Sequence, residues 1–241
     1  MPGSLLSIGS ASYKSVFLRS KFRTMLKAVI FDMDGTILNT LDDLSDALEY
    51  TFDHFHLPRR TVDEVRQFVG NGIHKLIERA VPENTPKDDI EKVFNFYVDY
   101  YKEHSLIKTR PYEGILELIK QLRNVGYMTA VVSNKKDAAV KDLCKKLFDG
   151  LFDMALGDTD GIRLKPERDM IDMVLNELNV SCEEAIYVGD SEVDIKTARN
   201  SNLKCISVTW GFRERELIES IGTDYIVDTP EEISHLLINI K

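Results

Sequence analysis

KAVIFDMDGTILNT, residues Lys27–Thr40, is the stretch on which the reading of the chain turns. Its opening, Ala28-Val29-Ile30-Phe31, is a continuous apolar run. It is too short for a helix and rich in β-branched and aromatic residues, as expected for a parallel strand covered on both faces. The run ends in acid. Asp32 and Asp34 stand two residues apart, so in extended backbone both side chains project to the same side. Gly35 lets the chain turn away, and Thr36 adds a hydroxyl. Two crowded carboxylates repel each other and are costly to desolvate, so the pair calls for a cation. A hard divalent ion such as Mg²⁺ suits such oxygen ligands, and an open α/β sheet gathers its ligands at this end of its strands.

Downstream, from Leu41 to about Thr109, the pattern is helical throughout. Leu41, Leu44, Leu48, Phe52 and Phe55 form one apolar stripe, with Thr40 as its N-cap and Pro58 just past its end. Thr61 and Glu64 have the spacing of a capping box. Gly70-Asn71-Gly72 breaks the chain before IHKLIERAV, and Ile90, Val93, Phe94, Tyr97 and Tyr101 share one side of a longer helix. After Pro111 short apolar strands alternate with helices: MTAVVS, FDMAL, EAIYVGD, KCISVTW and DYIVD are the strands. This alternation predicts an α/β fold, a parallel doubly wound sheet with right-handed crossovers. The expected organisation is a leader at 1–24, a core formed by 25–39 and 110–241, and a helical insertion at 40–109 that stands over the carboxylates.

Composition limits the function classes. With 43% hydrophobic and 29% charged residues the chain reads as a soluble globular protein. A net charge of −9 argues against nucleic acid as the main partner, and no apolar run approaches the roughly 20 residues of a membrane span. Cys144, Cys182 and Cys205 are widely spaced and contain no Cys-x-x-Cys pair, which reads as reduced thiols of a cytoplasmic protein. Residues 1–24 hold four Lys/Arg and no acid among many Ser and Gly. That composition reads as a disordered leader in preference to an organellar transit peptide. A monomer or weak homodimer is expected. His54, His56, His74, His104 and His235 show no metal-ligand spacing.

Other strands also end in polar groups: Ser133-Asn134 after VVS, and Gly189-Asp190-Ser191 with Asp194 after IYV, while Lys165 lies in a polar stretch before a helix. Singly, each reads as a cap, a turn or a loop. Together, behind Asp32-Met33-Asp34-Gly35-Thr36, they resemble the four motifs of the haloacid dehalogenase superfamily of phosphatases, and the resemblance runs from Leu26 to the C-terminus. It implies a Rossmann-like core with a helical cap inserted after the first motif. It further implies Asp32 as nucleophile, Asp34 as general acid/base, and Ser133, Asn134 and Lys165, with Gly35 and Thr36, around the phosphoryl group. In the family pattern Asp32, Asp190, Asp194 and the Asp34 backbone carbonyl would hold Mg²⁺. The chemistry is coherent, because an ionised carboxylate need only be aimed at phosphorus to form an acyl phosphate that water can hydrolyse. Dehalogenating relatives generally lack the second Asp, so Asp34 favours phosphate chemistry. One departure is the third motif, where Lys165-Pro166 is followed by Glu167-Arg168 and not by the family's second proline.

Substrate choice falls to the helical insertion. Its first helix and the segment Phe68–Gly72 with Leu76, Glu78, Arg79 and Ala80 look like the phosphoglycolate phosphatase branch. Gly70, Asn71 and Gly72 would free the next helix's first N–H groups for a small carboxylate, with Lys75 and Arg79 adding charge. The same residues read equally well as an interhelix turn with two solvated cations. The expected activity is hydrolysis of a small phosphate monoester, 2-phosphoglycolate first. The alternatives are a phosphomutase similar to β-phosphoglucomutase, a phosphatase or pyrophosphatase of other small phosphates, and a non-catalytic binding protein on the same fold. Trp210 is expected over the core edge, with Arg213 and Arg215 in solvent.

Overall fold

The computed structural model describes residues 25–239, so the leader expected at 1–24 lies outside the described residues. In chain order, β1 (Ala28–Phe31) and a short β2 (Leu38–Asn39) precede four helices: α1 (Leu41–His54), α2 (Val62–Phe68), α3 (Ile73–Ala80) and α4 (Lys87–His104). Next come β3 (Arg110–Pro111), α5 (Ile115–Asn124), β4 (Met128–Lys136), α6 (Asp137–Phe148), β5 (Met154–Asp158) and α7 (Asp169–Leu178). The chain finishes with β6 (Ala185–Gly189), α8 (Glu192–Asn200), β7 (Lys204–Val208), α9 (Arg215–Ile221), β8 (Tyr225–Val227) and α10 (Pro230–Asn239). Among the described residues, six strands form one sheet in the order β5-β4-β1-β6-β7-β8, every pair parallel.

The continuous apolar run of β1 follows from its central place. Val29 and Phe31 point into a core shared with α5, α6 and α10. Ala28 and Ile30 point into a second core with α7, α8 and α9. All four side chains are fully buried, which leaves no face to alternate in polarity. The doubly wound sheet expected from the strand and helix alternation is therefore observed. The short helix α9 and the two-residue strands β2 and β3 were not anticipated.

Helices α1–α4 enclose a third apolar cluster containing Leu41, Leu44, Leu48, Phe52, Leu76, Ile77, Val93, Tyr97 and Tyr101. Phe212, from the loop after β7, joins this cluster. Thr61 makes the expected capping box with Glu64. Thr40 does not cap α1: its hydroxyl is buried without a hydrogen-bond partner, and its backbone is already helical at φ −109°, ψ 0°. The chain enters and leaves this helical layer through β2 and β3, which pair antiparallel with Leu38 opposite Pro111 and Asn39 opposite Arg110. Buried Asp43 in the first turn of α1 accepts hydrogen bonds from the backbone N–H of Lys108 (2.9 Å) and Thr109 (2.8 Å), tying the outgoing segment to the returning one.

Candidate active site

Strand register builds the site. Phe31 lies beside Val131 of β4 and Val188 of β6. Asp32, one residue on, and Ser133 and Asp190, two residues beyond their register partners, therefore emerge together at the carboxyl edge. Lys165 reaches the same point from the segment between β5 and α7. Its ammonium donates to Asp32 Oδ1 (2.6 Å), Asp194 Oδ1 (2.8 Å) and the Tyr187 hydroxyl (3.0 Å). Asp194 also accepts from the Ser191 hydroxyl (2.6 Å) and backbone N–H (3.1 Å). Asp190 accepts from the Thr36 hydroxyl (3.2 Å) and the Phe212 backbone N–H (2.7 Å).

The electrostatics are those of crowded acids. Asp32, Asp190 and Asp194 are all buried, and one carboxylate oxygen from each lies within 4.8 Å of the others. Burial first, then the neighbouring Asp194 charge, holds Asp32 well above the usual carboxylate range, with Lys165 opposing. Burial and Asp194 push Asp190 up to about 7. Burial works against the Lys165 ammonium, but Asp194 and Asp32 outweigh it and raise its pKa well above the ordinary value. Three carboxylates facing one ammonium leave a buried surplus of negative charge, and the available donors are all hard oxygens. That set fits a divalent cation of the Mg²⁺ or Ca²⁺ type. Gly35, at φ +89°, is required here because a Cβ would run into the Asp190 carboxylate.

Several expected site residues are used differently. Gly35 donates its N–H to Leu38 O (2.9 Å), and the Thr36 hydroxyl is taken by Asp190, so both close the loop and leave no donor for a phosphoryl group from those atoms. The Asn134 amide clamps the backbone of Lys165, accepting from its N–H (2.9 Å) and donating to its carbonyl (3.1 Å), and also donates to Gly70 O (3.1 Å). It positions Lys165 instead of pointing a free donor into the pocket. The Asp34 carboxylate lies apart from the three-acid group and faces the Lys135 ammonium at 3.2 Å. Arg79 binds Phe68 O and Asn71 Oδ1 (both 2.7 Å), Lys75 pairs with Glu78, and both cations are exposed and outside the pocket wall.

Two important residues were missed. Lys135 is not singled out by the sequence, yet it is buried, 6% exposed, against the Tyr101 hydroxyl of α4 (3.2 Å). Its proximity to Ser133-Asn134 was the available signal. Arg213, expected in solvent, is buried: it pairs with Glu192 (2.8 Å) and donates to the carbonyls of Arg66 and Val69 (both 2.8 Å) at the end of α2. Arg215 is exposed, as expected, and pairs with Glu219 and Asp228. Trp210 packs against the core and donates to Thr36 O at 3.0 Å.

Above the acids lies a cavity of about 40 Å³, lined at its floor by Asp32, Asp34, Ser133, Asn134 and Lys135. Its roof comes from the helical layer: Leu44, Val69, Gly70, Gly72, Ile73 and Leu76. Gly72 is the N-cap of α3 at φ +82°, and the first-turn N–H groups that follow it lack intrahelical partners. Among the described residues no helix is long and apolar enough to cross a membrane.

The description of the haloacid dehalogenase-like hydrolases matches residues 29–208. A phosphoglycolate phosphatase of Agrobacterium fabrum is 31% identical over 211 residues, covering 86% of this chain and 90% of its own. The pyrophosphatase PpaX of Bacillus mycoides is 25% identical over 217 residues, covering 90% and 99%. A crystal structure of a candidate phosphoglycolate phosphatase from Lactobacillus delbrueckii subsp. bulgaricus superposes with a TM-score of 0.84 at 39% identity, covering 88% of this chain and 98% of its own.

Proposed function

The chain belongs to the haloacid dehalogenase-like hydrolases, and from that premise we propose that it is a phosphatase of small phosphate monoesters, with 2-phosphoglycolate as its preferred substrate. The observation that carries the substrate reading is the cavity of about 40 Å³ directly above Asp32. Its roof of Leu44, Val69, Gly70, Gly72, Ile73 and Leu76 closes directly over Asp32 and Asp34, which supports a compact phosphate ester over a bulky one.

In this reading Asp32 Oδ attacks phosphorus in line, the bond from phosphorus to the ester oxygen breaks, and Asp34 gives its proton to the departing alkoxide. Water then attacks the phosphoaspartate, returning a proton to Asp34 and releasing Asp32. Lys165, already 2.6 Å from Asp32, aligns the nucleophile and offsets anionic charge. Ser133 accepts from Lys135 N–H (3.2 Å), which leaves its own hydroxyl proton for a phosphoryl oxygen. Asp32, Asp190 and Asp194 would hold a divalent cation, Mg²⁺ in this reading, which when bound supplies charge neutralisation for the phosphoryl oxygens. Helices α1–α4 act as the cap that excludes water from the pocket.

The test is phosphate release from 2-phosphoglycolate, hexose phosphates, nucleotides and pyrophosphate, with Mg²⁺ or with EDTA. We expect 2-phosphoglycolate to give the highest kcat/KM and EDTA to abolish turnover. A low rank for 2-phosphoglycolate refutes the substrate, and metal-independent turnover refutes the role of the acids.

A further inference from the structure

Lys135 is unexplained by the reaction as written above. β4 carries it past Ser133 and Asn134 into the wall of the cavity, where, among the described residues, it is the only Lys or Arg in the lining. Its ammonium lies 3.2 Å from Asp34 Oδ1, 3.2 Å from the Tyr101 hydroxyl and 5.0 Å from the centre of the Tyr101 ring. The other buried cations near the site are committed: Lys165 to Asp32, Asp194 and Tyr187, and Arg213 to Glu192 and two carbonyls. An ammonium carries three N–H donors, and a buried one facing a single carboxylate and a neutral phenol retains capacity for a second anion. Leu44, Val69, Ile73 and Leu76 make much of the remaining wall apolar, so an anion entering there meets little competition from water.

The position of this cation constrains the substrate. The leaving oxygen has to touch the Asp34 carboxyl, and Lys135 lies beside that same carboxyl. A carboxylate carried one carbon from the leaving oxygen therefore comes within reach of the Lys135 ammonium. We propose that Lys135 is the specificity-determining residue of this pocket, pairing with the carboxylate of a small 2-hydroxy acid leaving group and selecting its phosphate ester over neutral esters of the same size. This deepens the phosphatase reading and rests on it.

The test compares kcat/KM for 2-phosphoglycolate with that for 2-hydroxyethyl phosphate, which replaces the carboxylate by a neutral alcohol at nearly constant size. The readout is the ratio of the two in wild type, Lys135→Met, Lys135→Gln and Lys135→Arg, after thermal melts confirm which variants are folded. The ratio is expected to fall about 10- to 100-fold in the Met and Gln variants, mainly through KM for the acid, and to be partly retained in Lys135→Arg. A ratio that stays within about threefold of wild type while both activities drop means that Lys135 acts only through Asp34, and overturns the proposal. A wild-type ratio near one overturns it as well. If hexose phosphates or pyrophosphate outrank 2-phosphoglycolate but the ratio still collapses in Lys135→Met, the preferred substrate is wrong and the role of Lys135 stands.

Discussion

Raising the pH of the metal-free protein from 5.5 to 7.5 is expected to destabilise it, because the buried acids then have to ionise. Asp190 is held at about 7 in the fold, whereas an unfolded Asp titrates near ~3.9. Between those values the folded chain keeps a proton that the unfolded chain has released. Stability therefore falls as pH rises through this window, the reverse of an ordinary salt-bridged carboxylate. Evaluated at the two pH values, Asp190 alone contributes a loss of about 2 kcal/mol, and Asp32 shifts in the same direction. For a chain of this size that corresponds to roughly 4–8 °C in Tm. The assay is a melt series in EDTA at both pH values, repeated with excess Mg²⁺ and with Asp190→Asn. If Mg²⁺ binds the ionised acids of the folded state, as proposed above, it should stabilise more at pH 7.5 than at 5.5 and flatten the slope. Asp190→Asn should flatten it without metal. A metal-free Tm that is constant or rises between pH 5.5 and 7.5, or an Asp190→Asn protein with the full slope, refutes the reasoning.

Two further outcomes follow from the same geometry. Asp32→Asn keeps the shape of the nucleophile but not its charge, so kcat should fall by about 10³-fold or more with the fold intact, as read by phosphate release and circular dichroism. Arg213→Met strands Glu192 and the carbonyls of Arg66 and Val69; at roughly 1.5–3 kcal/mol for a hydrogen bond to a charged group, discounted because Glu192 is partly exposed, a loss of about 2–3 kcal/mol in urea unfolding is expected. An Arg213→Met protein as stable as wild type would show that this clamp between the sheet and α2 contributes nothing.

How much could be read from the sequence depended on the range over which each residue acts. β1 was legible because both its faces are covered, and that leaves a four-residue apolar run. The capping box at Thr61 and Glu64 was legible because all its partners lie within three residues. The strand-end acids were legible as a set because the order of motifs survives in the chain even where spatial proximity does not. Lys135 and Arg213 were not, since their partners Tyr101, Arg66 and Val69 are far away in sequence and nothing local distinguishes a buried cation from a solvated one. β2 and β3 are too short for any periodicity. The contacts of Gly35 and Thr36 were not legible, because a hydroxyl's choice of a carboxylate neighbour such as Asp190 is decided only by the folded loop.

The pairing of β2 with β3 has a consequence for how such proteins can be rebuilt. Asn39 and Arg110 face each other across the ribbon, at the short separation typical of opposed antiparallel residues, so a two-residue hairpin turn can join them with residues 40–109 removed. A different helical lid can be grafted at the same two stumps without disturbing the register of the large sheet. Exchange of this kind leaves the hydrolytic acids where they are and alters only what is admitted to them. The graft has to supply new partners for Asn134, Lys135 and Arg213, the side chains that grip the present lid from below.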